Sequence, residues 1–180
     1  MSEKSQLELM AKYNEVMNSR ILDASSKLTN EKLFQDKGAF FKSVIGSLNH
    51  IMIGDILWLK RFSLHSNDYK SLAPMNEIEK PVKLDSILFG DLGSFRNQRK
   101  LIDEVISNWC GEISESDLDH PFKYINFKGE QHNKRLGDLI LHVFLHQIHH
   151  RGQITTLLSQ DNIDFGDTDL PEFLPDHGLA

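Results

Sequence analysis

The sequence predicts an all-α fold, a four-helix bundle forming a single domain over residues 1–180. Three observations carry this expectation. Four stretches place apolar residues at helical spacing. Pro, Gly, Asn and Asp collect in the segments between them. No period of about 20 to 50 residues recurs along the chain, which removes repeat arrays.

The first helix is expected from about Gln6 to Leu28, where Leu9, Tyr13, Val16, Met17 and Ile21 are spaced for one apolar face. Thr29 then precedes a polar connector that ends near Gly38. The second helix, about Ala39 to His65, is the most apolar and reads as a core helix buried on several sides. From Ser66 to Lys83, Pro74 and Pro81 forbid a continuing helix, and the polarity predicts a long crossover loop of the kind that can cover a site. The third helix spans about Leu84 to Trp109, with Gly90 and Gly93 weakening its start. Around Phe122 to Phe127 the alternation FKYINF predicts a strand or short hairpin before the last helix, with Gly129 as the turn residue. The fourth helix runs from near Lys134 to about Gln160. The acidic tail beyond it, with Pro171 and Pro175, is expected to be irregular and laid over the surface, anchored by Phe165, Leu170 and Phe173.

Hydrophobic residues make up 39% of the chain and charged residues 26%, which fits a soluble globular protein and removes disordered and fibrous classes. No window approaches the roughly eighteen consecutive apolar residues of a membrane helix. The opening MSEKSQLELMAKYNEV reads as amphipathic helix, with neither an apolar h-region nor a small-residue cleavage site, so a cytoplasmic protein is expected. The net charge is -6, with basic residues scattered among acidic ones, which argues against nucleic acid as a partner. Cys110 is the sole cysteine, so a disulfide framework or a cysteine-based zinc cluster cannot form within one chain. Any metal site must use His, Asp or Glu.

Four of the nine histidines crowd into LHVFLHQIHHRGQ, as His142, His146, His149 and His150. Residues four apart on a helix share a face, so His146 and His150 can aim two imidazole nitrogens at one ion, and His142 and His146 have the same spacing. A helical wheel chooses between them. With His146 at zero, Leu139 and Leu157 fall near ~20°, His150 near ~40°, Val143 near ~60° and Ile154 near ~80°. His146 and His150 therefore lie within the apolar stripe. His142 and His149, near ~-40° and ~-60°, lie at its edge. A buried imidazole needs a partner, because an unsatisfied polar group costs on the order of 1 to 3 kcal/mol. A shared ion answers that need, and so does a pair of core histidines bonded to carbonyls or carboxylates.

A third ligand is offered by the second helix, where His50 is the only histidine in its middle. Ser43, Gly46, Ser47 and Gly54 gather about it on the wheel. Such small residues leave room for a cavity or permit tight helix packing. Three histidines without a fourth protein ligand keep coordination positions open for water or substrate, as catalytic sites do. Zinc, nickel, iron(II) or cobalt would tolerate that donor set.

The segments GAFFKSVIGSLNHIMIGDILWLKRF and LGDLILHVFLHQIHHRGQITTLL resemble the two signature helices of the DinB/YfiT-like superfamily. YNEVMNSRIL and DTDLPEFL are similar to that family's ends, so the likeness covers nearly the whole chain. The resemblance implies an up-down-down-up four-helix bundle, often a homodimer, with one divalent transition metal held by His50, His146 and His150. One variant of the family carries glutamate at the first histidine of the HxxxH pair; this chain keeps His146, giving an all-nitrogen, more positive site. The family's name refers to a damage-inducible locus, which implies a stress-response setting. Characterised members include transferases and isomerases that use a low-molecular-weight thiol as cosubstrate. Membership does not name the substrate.

Two functions follow as expectations. The first is a metal-dependent enzyme, a thiol-dependent transferase or hydrolase acting on a small molecule, in which the ion lowers the pKa of a thiol or water. His149 would be its proton shuttle, and Arg151, Gln153 and Arg61 would orient an anionic ligand; ordinary hydrogen-bonded or helix-surface roles account for the same residues. The alternative is a non-catalytic metal-binding or dimerisation module with a structural or sensing role. Leu141, Phe144, Leu145 and Ile148 lie opposite the histidines and offer a second apolar face for a partner subunit or for the core. Protein-nucleophile schemes find no support: G-x-S-x-G and phosphate-cradling glycine motifs are missing, and Cys110 has no nearby partner in sequence.

Overall fold

A computed structural model of the chain describes residues 1–65, 69–174 and 176. The elements, in order, are α1 (Glu3–Ser25), α2 (Asn30–Phe34), α3 (Val44–Ser63), a 3-10 turn at Lys70–Asn76, α4 (Leu92–Glu112), α5 (Glu115–Leu118), β1 (Pro121–Ile125), β2 (Gln131–Arg135), α6 (Leu136–Gln160) and a second 3-10 turn at Leu170–Phe173. The protein is thus mostly helical. Of the long helices, α1 packs on α4 and α6, while α3 packs on α6 and more lightly on α4. Their apolar faces close over a core that includes Met17, Ile45, Met52, Phe62, Phe95, Trp109 and Phe144.

Helix starts follow local capping chemistry and explain where the expected boundaries move. Ser2 accepts the N–H of Ser5 at 3.3 Å, so α1 begins before Gln6. Thr29 caps α2, a short helix inside the stretch expected to be a connector. The second helix does not start at Ala39. Ser43 accepts the N–H of Gly46 at 3.1 Å, and Lys42 before it takes a left-handed backbone with φ 66°. The third helix does not start at Leu84 either, because Asp91 accepts the N–H of Ser94 at 2.8 Å and sets the start at Leu92. The freed segment before it lies across α3.

The expected crossover loop from Ser66 to Lys83 contains the 3-10 turn at Lys70–Asn76, which buries Leu72 and Met75 and packs on α3; residues 66–68 lie outside the described residues. The hairpin is present: β1 pairs antiparallel with β2, Phe122 opposite Lys134, and Gly129 turns with φ 81°. In the tail Phe173 meets the Tyr13 ring edge-on at 5.4 Å, and the Tyr13 hydroxyl donates to the Thr168 carbonyl at 2.8 Å. Phe165 packs against the core, and Pro175 lies outside the described residues. No described helix is long and apolar enough to cross a membrane.

Candidate metal centre

The centre sits between α3 and α6. Its first wall is made by the entry to α3. The positive φ at Lys42 turns the chain so that the Phe41 ring stacks on His50, with centroids 3.7 Å apart. This close return requires Gly46, since a Cβ there would stand 2.1 Å from the Phe41 carbonyl oxygen. Gly54, one turn beyond His50, has a similar purpose: a Cβ would lie 2.7 Å from Cε1 of His146. Of the two readings of the small residues, packing describes these two glycines, and what Gly54 packs against is a site histidine.

His50, His146 and His150 form a group able to hold a metal ion, with one ligand atom of each within 4.8 Å of the others. Nε2 of His50 and Nε2 of His146 are 3.1 Å apart. Two nitrogens bound at about 2.0–2.1 Å to one ion stand about 2.9 Å apart at a right angle and about 3.3 Å apart at the tetrahedral angle, so the pair fits a shared ion. The other nitrogens are anchored. Nδ1 of His50 donates to the Leu84 carbonyl at 2.9 Å, and Nδ1 of His150 donates to Oε1 of Gln153 at 2.8 Å. Each bond puts the ring's proton on Nδ1 and leaves Nε2 as a bare lone pair.

The electrostatics favour neutral rings. Burial pulls all three imidazoles below the usual histidine range, and His146 goes furthest, to about 3, through burial and then the neighbouring His150 and His50. Neutral imidazole is the form that ligates a metal. The wheel's choice within α6 is reproduced in burial: His150 is buried and His146 half-buried, while His142 and His149 are exposed.

The remaining candidates separate. Gln153 joins the site as the acceptor for His150, and its amide donates to Nε2 of exposed His149 at 3.1 Å. Arg151 faces α1 instead, buried, donating to the side-chain oxygens of Asn14, Asn18 and Gln147. Arg61 lies over the Trp58 ring at 4.7 Å. The sequence reading missed the Leu84 carbonyl and Phe41, which no spacing rule marks. It also missed Asn49, whose side chain accepts the N–H groups of Leu88 and Phe89 at 2.8 and 2.9 Å and so pins the segment that carries Leu84. The Asn-His pair in SLNH was its only signal.

Fold and site together define a helical protein with a three-histidine candidate centre for a divalent ion. The chain belongs to the DinB family, whose model matches residues 1–171. Neither the comparison with curated proteins nor that with solved structures gave a match.

Proposed function

We propose that the chain is a divalent-metal-dependent enzyme acting on a small molecule, of the thiol-dependent transferase or hydrolase type, with His50, His146 and His150 as its metal ligands. One observation carries the reading: His50, His146 and His150 bring one ring nitrogen each within 4.8 Å of one another, while Nδ1 of His50 and Nδ1 of His150 are hydrogen-bonded to Leu84 and Gln153, and a cation is what such a convergence attracts. A zinc, nickel or iron(II) ion held there would supply the Lewis acidity that makes a low-molecular-weight thiol or water nucleophilic at neutral pH. The chain's own groups do the rest. Leu84 and Gln153 fix the ligand tautomers. His149, exposed and bonded to Gln153, is suited to carry a proton between solvent and substrate. Arg151, held by three amide side chains, is a positioning residue that locks α6 onto α1.

The same reading assigns the long helices to an up-down-down-up bundle. His50 meets His150 while Trp58 meets His142, which supports antiparallel α3 and α6. Lys4 reaches Gly111 and Arg96 reaches Asp23, which supports antiparallel α1 and α4. Glu3 with Arg135 and Asn14 with Arg151 support parallel α1 and α6. Phe144 is in the core, but Leu141, Leu145 and Ile148 are exposed, which supports a homodimer through that face.

Equilibrium dialysis against zinc, nickel, iron(II) and cobalt, for wild type and His150→Ala, tests the centre; equal metal retention by both removes it. Screening the metal-loaded proteins for transfer of common thiols to electrophiles tests the enzyme. Equal turnover by both would sink it.

A further inference from the structure

Beyond the histidines, a row of rings runs along the seam of α3 and α6 and ends in a cation. His142 stands 6.1 Å from His146, Trp58 stands 5.4 Å from His142, and the Arg61 guanidinium lies 4.7 Å above Trp58. Tyr124 of β1 and Phe127 of the hairpin turn complete the surround at 5.6 and 5.9 Å from that guanidinium. On the α3 wheel Arg61 is only ~20° from His50, so both belong to one face. Side chains on a helix lean toward its N-terminus, which carries the Arg61 head back over Trp58 and toward the centre. Arg61 lies seven positions beyond Gly54, which is beside His146, an axial distance of about 10 Å.

The surroundings of this cation are unusual. Arg61 is half-buried, yet no carboxylate of the described residues pairs with it. Every other arginine of the described chain that is buried or half-buried has an ion pair or an amide partner: Arg20 with Glu172, Arg96 with Asp23, Arg99 with Asp55 and Asp103, Arg135 with Glu3, and Arg151 with Asn14. Burial presses the Arg61 guanidinium below its usual range, with only Tyr124 acting the other way. Aromatic faces orient a guanidinium by cation–π attraction without using up its N–H donors. The planar fork is therefore left to recognise two oxygens of an incoming anion.

We propose that Arg61, framed by Trp58, Tyr124 and Phe127, is the anion-recognising end of an elongated substrate groove whose reacting end is the histidine centre. The ligand class is a small molecule with an apolar or planar middle and a terminal carboxylate or phosphate. The position of the reacting end rests on the metal-centre reading; the anion subsite itself does not.

The test uses Trp58 as reporter. The metal-free protein is titrated with octanoate and with octanamide, which share shape and differ in charge, and tryptophan emission is followed. Octanoate should bind at least about tenfold more tightly, the effect of one charge-assisted hydrogen bond. Arg61→Met should erase the difference with its far-UV circular dichroism unchanged, and Arg61→Lys should restore part of it. Octyl phosphate in place of octanoate decides between the two anions by whichever binds more tightly. Equal affinity of wild type for octanoate and octanamide overturns the proposal, and this comparison stands even if the Arg61 variants do not fold. Discrimination that survives in Arg61→Met overturns it too. Zinc-loaded protein is then titrated with mercaptooctanoate. A gain over octanoate that appears only with zinc supports one molecule spanning both ends. Zinc that is retained without effect overturns the span alone, zinc that is not retained overturns the metal centre, and in either case the discrimination at Arg61 stays as measured.

Discussion

The histidine trio and the aspartate–arginine cluster lie on adjoining faces of α6, yet one gathers neutral rings and the other paired charges. In the cluster every long helix contributes: Asn14 and Asn18 from α1, Asp55 from α3, Arg99 and Asp103 from α4, Gln147 and Arg151 from α6. Opposite charges meet there, although the Asn14 amide nitrogen, Nε of Arg99 and one terminal nitrogen of Arg151 are buried without a hydrogen-bond partner. Arg99 bonds to Asp55 and pairs with Asp103 at 2.9 Å, Gln147 donates to Asp55 at 3.0 Å, and Asn18 donates to Asp103 at 2.8 Å. Two carboxylates face two guanidiniums. In the trio neutral imidazoles converge: Nε2 of His50 and Nε2 of His146 stand 3.1 Å apart, and a ring nitrogen of His150 lies within 4.8 Å of both ligand groups. A cluster of paired charges fixes how helices seat, whereas converging neutral imidazoles are suited to be completed by a guest cation.

The largest effect that can break this contrast comes from removing one charge of the closed cluster. Arg99→Met leaves Asp55 and Asp103 buried without their main counter-charge and should lower unfolding stability by about 3–5 kcal/mol. Adding Asp55→Asn should recover part of the loss. In metal-free protein His150→Ala should cost on the order of 1 kcal/mol, because it deletes a neutral ring from the edge of the core. Urea denaturation compares the two. Similar losses would erase the distinction between the clusters.

Next in size is the response to metal. Zinc at a free concentration about a hundredfold above its Kd should stabilise wild type by about 2.7 kcal/mol. His50→Ala should show little of that gain, and chelator should return wild type to its metal-free melting curve. Asp103→Asn should keep the full gain, since its partners lie in the other cluster.

Much of the trio was legible in the sequence because helix periodicity fixes which histidines share a buried face: His146 and His150 within the stripe of Leu139, Val143, Ile154 and Leu157. The long helices were legible for the same reason. What escaped was chemistry that depends on the fold returning to itself. Asn14, Asn18, Asp55 and Gln147 look like ordinary polar positions on amphipathic helices, and only packing makes them one cluster. Helix starts at Val44 and Leu92 were misplaced because Ser43 and Asp91 cap them, and the capping residues sat inside otherwise plausible helical spacing. That error hid the site's walls, since Phe41 and Leu84 can act only where the chain is not helical.

Acidity separates the clusters by sign. For His146 the folded pKa falls to about 3 from 6.5, so its contribution is complete above pH 6.5 and is lost as pH drops toward 3. For Asp103 burial raises the folded pKa to about 6 from 3.8, so its contribution is complete below pH 3.8 and is lost as pH climbs through 6. Each slope reaches at most about 1.4 kcal/mol per pH unit. Between these limits the two oppose each other in metal-free protein. Relative to wild type, His146→Leu should therefore tilt stability downward with rising pH, and Asp103→Asn should tilt it upward, as read by thermal melts. Tilts of the same sign would contradict the assignment.

The smallest effect probes the tautomers directly. Gln153→Leu removes the acceptor for Nδ1 of His150 while leaving all three ligands in place. Its stability cost should stay within about 0.5 kcal/mol, because Gln153 is only half-buried. Its cost in zinc affinity should nevertheless be about tenfold, since His150 becomes free to carry its proton on Nε2 and to lose that lone pair as a ligand. His50 provides the internal control: its acceptor is the backbone carbonyl of Leu84, which no side-chain substitution deletes, so that half of the site keeps its tautomer. Competition titration with a chromophoric zinc chelator measures the difference. Unchanged affinity would mean that the amide at position 153 does not set the proton on His150, and the case for a guest-completed centre would then rest on the His50–His146 contact alone.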